Sequence, residues 1–199
     1  MSNGKVTSND AHPHASPTSG THRVPTSGTY RVPIRRVLKR PDVRLSLSAV
    51  DIDPWHPDSV ALADTLVSTM RASPACVGIA ATQVGELSRL FCMDVTRHRH
   101  ARSCAGLVVL CNPKIVWRSS DVVLREGCMS VPHLTGNVAR AAEVTVQGIE
   151  PGTGRLVRLD ADAIEARCLQ HEIDHLDGYV FVDRVSNPAT DLFARKIYV

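Results

Sequence analysis

Nothing in this 199-residue chain approaches the run of ~20 apolar residues that a membrane-spanning helix needs, and its first residues lack the apolar core of a secretory signal. The expectation is a protein with no membrane partner, working in a reducing compartment. The six cysteines (Cys76, Cys92, Cys104, Cys111, Cys128 and Cys168) form no compact framework. A chain of this size buries a core without disulfide staples, so free thiols are expected. Acidic residues are nearly missing at the start, where seven basic side chains up to residue 40 face Asp10 alone. That places +6 there and leaves the remainder at −3 of the total +3, so the basic character is assigned to the tail. A mildly acidic body argues against a DNA-binding domain.

Residues 1–33 also lack anything to bury. They are Ser, Thr, Pro, Gly and His, with "PTSGTHRV" (17–24) repeated as "PTSGTYRV" (25–32). Such a tract cannot offset its own conformational entropy and is expected to be a disordered, solvated tail. Residues 34–199 are expected to form one folded domain. In "HPDSVALADTLVSTMRAS" (56–73), Val60, Leu62, Leu66, Val67 and Met70 recur at helical spacing behind Pro57. Short β-rich runs follow at 90–95, 106–117, 121–131, 142–150 and 154–160, with "EPGTG" (150–154) as a hairpin turn and 97–106 as an exposed loop. A second helix is expected from about 160–162, capped by Asp162 with Glu165, to Gly178. The pattern implies an α+β fold, with antiparallel sheets packed around the C-terminal helix and a further helix near the N-terminus.

The second helix carries "LQHEIDHLDG" (169–178), which holds His171, Glu172 and His175 in H-E-x-x-H spacing. Ile164, Cys168, His171 and His175 share one face, so both imidazoles can reach a single ion. Chance supplies this pattern roughly once in two hundred chains of this length, which favours a metal site over two ordinary core histidines. Two familiar sources of a third ligand fail. The position where a metzincin has its last histidine is Phe181, and no glutamate follows Glu172. A cysteine from elsewhere remains, and "REGCMSVP" (125–132) offers Cys128.

Three separated segments then resemble the signature motifs of peptide deformylases. "VGIAATQ" (77–83) resembles G-x-G-[LI]-A-A-x-Q, "EGCMS" (126–130) resembles E-G-C-[LM]-S, and "QHEIDHLDG" (170–178) resembles Q-H-E-x-D-H-L-x-G. Their order matches too, over about residues 34–185. The resemblance implies a hydrolase that removes the formyl group from N-formylmethionyl nascent peptides in the bacterial cytoplasm, releasing formate. It implies one divalent cation held by Cys128, His171 and His175, Fe²⁺ foremost, with Zn²⁺, Ni²⁺ or Co²⁺ able to replace it. Glu172 is the implied general acid–base. The Gln83 amide and the Met129 N–H are the implied donors to the oxygen that gains charge. Gly78 is the implied main-chain partner of the substrate, with Val77, Ile79 and Met129 walling the methionine pocket. The basic tail suggests transient contact with the ribosome. Asp174 and Gln170 read as supporting residues, with Arg140 pairing Asp174.

The chain departs from the family pattern at Cys76, which stands where the first motif glycine belongs, and at Thr82, where proline is common. A positive φ at Cys76 would be strained. A catalytically weak or silent deformylase-like protein, or another small H-E-x-x-H metallopeptidase, are the alternative readings.

Overall fold

Helix α1, Pro57–Ala72, begins where His56 accepts a hydrogen bond from the Asp58 N–H through Nδ1 (3.2 Å) and Pro57 takes the first helical position, which needs no N–H. The structure, a computed structural model, describes residues 32–195. The repeat-bearing tail and the disorder expected of it lie outside the described residues. From α1 the chain runs through β1 (Gly78–Ala80), β2 (Leu90–Asp94), β3 (Leu107–Arg118), β4 (Asp121–Cys128), β5 (Val131–Ala141), β6 (Glu143–Ile149) and β7 (Leu156–Asp162). Helix α2 (Ala163–Leu176) follows, then a single turn α3 (Pro188–Asp191) and β8 (Leu192–Ala194). The strands form two sheets, ordered β1-β2-β3-β6-β7 and β4-β5-β8, and every strand pair is antiparallel. The expected α+β architecture is what the chain adopts.

Helix α1 buries Ala63, Leu66 and Met70 against Ile79, Leu90 and Cys92 of the larger sheet. Helix α2 buries Leu169, Ile173 and Leu176 with Phe91, Met93, Val144 and Val146. It also touches β5, so it links the two sheets. Where α1 buries only the hydroxyls of Ser59, Thr65 and Thr69 among its polar groups, α2 buries Gln170 and the ionisable Glu165, Glu172, Asp174 and His175. Burial of that many ionisable groups costs stability unless each has a task, which marks α2 as the functional element. Gly178 closes it at φ +83°, where a Cβ would meet the Ser46 carbonyl oxygen at 2.9 Å.

The structure corrects three expectations and adds two strands. The run at 121–131 is not one strand: the chain turns at Met129 and Ser130, and "VPHLTGNVARA" returns as β5. Strands β1 and β8 are too short to show a periodicity. The capping box does not form, because the Asp162 carboxylate accepts from Ser103 N–H (2.9 Å) and Glu165 from Ala105 N–H (2.7 Å). Both acids pin the 97–106 loop instead. Finally, the basic character is not confined to the tail. Arg35 and Arg40 belong to the folded body, where they pair with Glu86 (3.6 Å) and Asp183 (2.5 Å). The six cysteines are free, as expected.

Candidate metal centre

The turn that splits the expected strand is what sets the site. Strand β4 shifts register between Glu126 and Cys128 and ends there, so the Cys128 side chain turns into the core beside α2. On α2, His171 and His175 lie one turn apart, with their rings edge to face at 4.8 Å between centroids. Cys128 Sγ is 3.2 Å from His175 Nε2, and one ligand atom from each of Cys128, His171 and His175 lies within 4.8 Å of the others. A tetrahedral ion with metal–sulfur and metal–nitrogen bonds of about 2.3 and 2.0 Å separates its ligand atoms by about 3.3–3.6 Å. Cys128 and His175 are close to that spacing, and the His171 ligand atom lies within 4.8 Å of both.

A sulfur and two imidazoles in this arrangement suit Fe²⁺, Co²⁺, Ni²⁺ or Zn²⁺ and do not suit Mg²⁺ or Ca²⁺. Burial pushes the Cys128 thiol up, but the His175 and His171 imidazoles beside it outweigh burial and hold it well below the ordinary thiol value. Thiolate is the form that ligates. Among the described residues, two buried side-chain atoms, Glu172 Oε2 and His175 Nδ1, have no protein partner. Unpartnered buried atoms are costly, and the free Glu172 oxygen beside a thiolate and two imidazoles fits a cation site with its bound water.

His171 Nδ1 contacts Glu126 Oε2 at 2.9 Å, which turns Nε2 toward Cys128. Glu126 also accepts from Arg140 Nε (2.8 Å) and Nη2 (3.1 Å), and Arg140 Nη1 donates to Asp174 (2.5 Å). Arg184 Nη2 donates to the other Asp174 oxygen at 2.6 Å. The expected Arg140–Asp174 pair is therefore present, within a longer chain of charges. Burial pushes Glu126 up, but the hydrogen bonds from His171 and Arg140 prevail and bring it down to about 2. Gln170 clamps the end of β5, exchanging two 3.0 Å hydrogen bonds with the Ala141 backbone.

Glu172 is 2 % exposed, and burial pushes its carboxyl up to about 7 while the two imidazoles pull the other way. That value suits a group that must accept and return a proton near neutral pH. A Cβ on Gly78 would lie 2.5 Å from Glu172 Oε1, so only glycine lets β1 run this close. The Gln83 amide oxygen accepts from Ala80 N–H (3.0 Å), while Nε2 donates to Ser130 Oγ (3.1 Å) and reaches Cys128 Sγ (3.4 Å). The segment before α1 holds this arrangement from outside, with Leu38 N–H donating to the Gln83 carbonyl (2.8 Å) and Arg40 N–H to that of Ser130 (2.9 Å).

A cavity of ≈ 420 Å³ opens over these groups, a size for a small ligand or peptide end. Val77, Gly78, Gln83, Cys128, Met129, His171 and Glu172 all line it. Ile79 does not. It is fully buried on the other side of β1, packed with Leu66 and Leu90. Strand alternation between Gly78 and Ile79 decides this. His175 lies beneath the cavity at 1 % exposure. Cys76 lines the cavity and donates its thiol to the Gly78 carbonyl (3.1 Å). The positive φ near the missing glycine falls on Ala75 (+56°), not on Cys76. Sequence reasoning missed Glu126, Arg125, Arg167 and Arg195. Only Glu126 had a local signal, an acid two residues before the ligand cysteine.

Comparisons with known proteins agree with this geometry. The polypeptide deformylase family model matches residues 34–191. A protein named peptide deformylase from Thermodesulfovibrio yellowstonii is 36% identical over 163 residues, which cover 82% of this chain and 96% of that one. Another from Halothermothrix orenii is 38% identical over 152 residues, covering 76% and 94%. Among solved structures, the peptide deformylase of Ehrlichia chaffeensis in complex with actinonin matches with a TM-score of 0.71 and 35% identity, covering 77% of this chain and 90% of that one. The Met-Ala-Ser-bound class I type b peptide deformylase from Acinetobacter baumannii gives 0.69 and 32%, covering 78% and 100%.

Proposed function

This chain belongs to the polypeptide deformylase family, and on that premise we propose how its own residues remove the formyl group from N-formylmethionyl peptides and release formate. The convergence of Cys128 Sγ and His175 Nε2 at 3.2 Å, with His171 alongside and Glu172 buried next to them, carries the reading. Cys128, His171 and His175 hold one divalent cation, with Fe²⁺ as the native ion and Zn²⁺, Ni²⁺ or Co²⁺ as substitutes. When bound, the cation supplies Lewis acidity, polarising a carbonyl oxygen and acidifying water. Glu126 holds the His171 ring in the orientation that offers Nε2.

Glu172 takes a proton from the attacking water and passes it to the methionine nitrogen as the formyl carbon–nitrogen bond breaks. A carboxyl poised at about 7 does both near neutral pH. The Gln83 amide and the Met129 N–H donate to the formyl oxygen as it gains charge. Ser130 Oγ keeps Gln83 Nε2 at this spot, and the second N–H turns from its long 3.4 Å contact with Cys128 Sγ to the formyl oxygen. Val77 and Gly78 line the substrate strand, and Met129 walls the methionine side chain, with Ile79 supporting from behind. The catalytic unit is residues 34–199 with 1–33 as a separate tail. The protein acts in the bacterial cytoplasm, and the basic tail makes transient contact with the ribosome.

The test is formate release from formyl-Met-Ala-Ser, with metal analysis under exclusion of oxygen. Formate release that stops with chelation and returns with Fe²⁺ is expected. Full metal occupancy without formate would favour a silent deformylase-like protein, and cleavage of internal peptide bonds would favour another metallopeptidase.

A further inference from the structure

We infer that Arg125, Arg167 and Arg195 form a subsite at the cavity mouth for a carboxylate carried by the peptide beyond its formyl-methionine, a reading that rests on the hydrolase function above. The three residues come from β4, α2 and the residue after β8, and all line the same cavity as Glu172 and Cys128. Each is held in place through a neutral group. Arg125 lies 3.4 Å above the Phe193 ring and donates to Thr135 Oγ1 (3.2 Å). Arg167 Nη1 donates to the Arg125 carbonyl oxygen (3.0 Å). Arg195 is fixed at its backbone by a hydrogen bond to the His133 carbonyl (2.8 Å), and its guanidinium occupies the space that a Cβ on Gly127 would fill.

Among the described residues, none of the three forms an ion pair with a carboxylate. Several other arginines, such as Arg40, Arg44, Arg89, Arg140 and Arg184, have an acidic partner within 4.0 Å, and those that have none among the described residues, such as Arg36, Arg71 and Arg97, do not line this cavity. The carboxylates lining the cavity do not serve the mouth either. Glu126 is taken by Arg140 and His171, and Glu172 is buried beside Gly78. Three guanidinium groups gathered on a domain whose body is otherwise mildly acidic repel one another, and an anion between them relieves that repulsion. Guanidinium offers planar, paired N–H donors that match a carboxylate, and anchoring through a ring face, a hydroxyl and a carbonyl leaves most of those donors free. Arg125 and Arg195 are exposed and Arg167 is half-buried, whereas Glu172 and Cys128 are buried, so the anion would sit on the part of the peptide that leaves the cavity.

The experiment compares kcat/KM for formyl-Met-Ala-Asp-amide, formyl-Met-Asp-Ala-amide and their asparagine counterparts, and for formyl-Met-Ala-Ser as free acid and amide. The metal-loaded full chain is used at low and at 0.5 M salt. The aspartate or free-acid peptide should be favoured by about two- to fivefold for each arginine engaged. The advantage should shrink toward unity at high salt. A gain for aspartate in amidated peptides assigns the carboxylate to a side chain, and a gain only for the free acid assigns it to a chain end; either supports the subsite. Arg195→Gln and Arg167→Gln should lower the ratio, and Arg195→Lys should restore part of it. Equal kcat/KM for charged and neutral peptides in the unaltered protein would overturn the inference, as would a ratio indifferent to salt and to both glutamine variants. No formate from any peptide would instead sink the hydrolase reading.

Discussion

Replacing Arg140 with methionine keeps most of the apolar stem and removes the guanidinium between Glu126 and Asp174. Two routes give the expected loss. Arg140 is 5 % exposed and its carboxylate partners are also buried, so removing it strands buried charge, which typically costs about 3–5 kcal/mol. Independently, a Glu126 carboxyl held at about 2 against an ordinary 4.5 contributes about 3 kcal/mol to folding at neutral pH, shared between His171 and Arg140. Arg184 still pairs with Asp174, which keeps the loss toward the lower figure. We expect about 3 kcal/mol at pH 7 in urea unfolding, measured with excess chelator so that metal binding does not enter. The pH dependence has a definite sign. Glu126 is depressed in the folded state, so its contribution is complete above pH 4.5 and drains away as pH falls toward 2. The gap between Arg140→Met and the unaltered protein should therefore narrow over that window. A gap under 1 kcal/mol at pH 7, or one that stays constant down to pH 3, would refute the reasoning.

Further outcomes can be checked on the same material. Glu172→Gln should lower kcat by about 10²–10⁴ while metal content stays full, and wild-type turnover in this variant would remove Glu172 from proton transfer. Gly78→Ala places a Cβ 2.5 Å from Glu172 Oε1 and 2.9 Å from Cys168 Sγ; the displaced carboxylate should cost about 100-fold in kcat with a smaller loss of stability, read by formate release and thermal unfolding. Cys76→Ala removes the thiol from the Gly78 carbonyl and should lower KM by about two- to tenfold, whereas an unchanged KM would mean that the substrate never competes for that oxygen. Glu126→Gln should weaken metal affinity by about 10–100-fold in chelator competition, through loss of the carboxylate that orients His171.

What could be read along the chain were features decided within one element. His171, Glu172 and His175 sit four residues apart or less on a helix, and helical geometry alone turns both imidazoles the same way. The apolar spacing of α1 and the turn at 150–154 are local in the same sense. The capping box at Asp162 was local too, yet wrong. Ser103 and Ala105, about 60 residues earlier, offered those carboxylates better donors.

The amino-acid order by itself thus determined the family, the α+β class and the pair of imidazoles. It also named Cys128 as a candidate third ligand, because motif spacing survives without any tertiary contact. Only the folded chain decided that Cys128 meets His175, since that depends on where β4 breaks at Met129 and Ser130. Tertiary structure alone also set the Glu126–Arg140–Asp174 line behind His171, turned Ile79 away from the cavity and gathered three arginines at its mouth. Each of these joins residues from different strands and helices, and a shift of one residue in strand register would have pointed the same side chains to the opposite face.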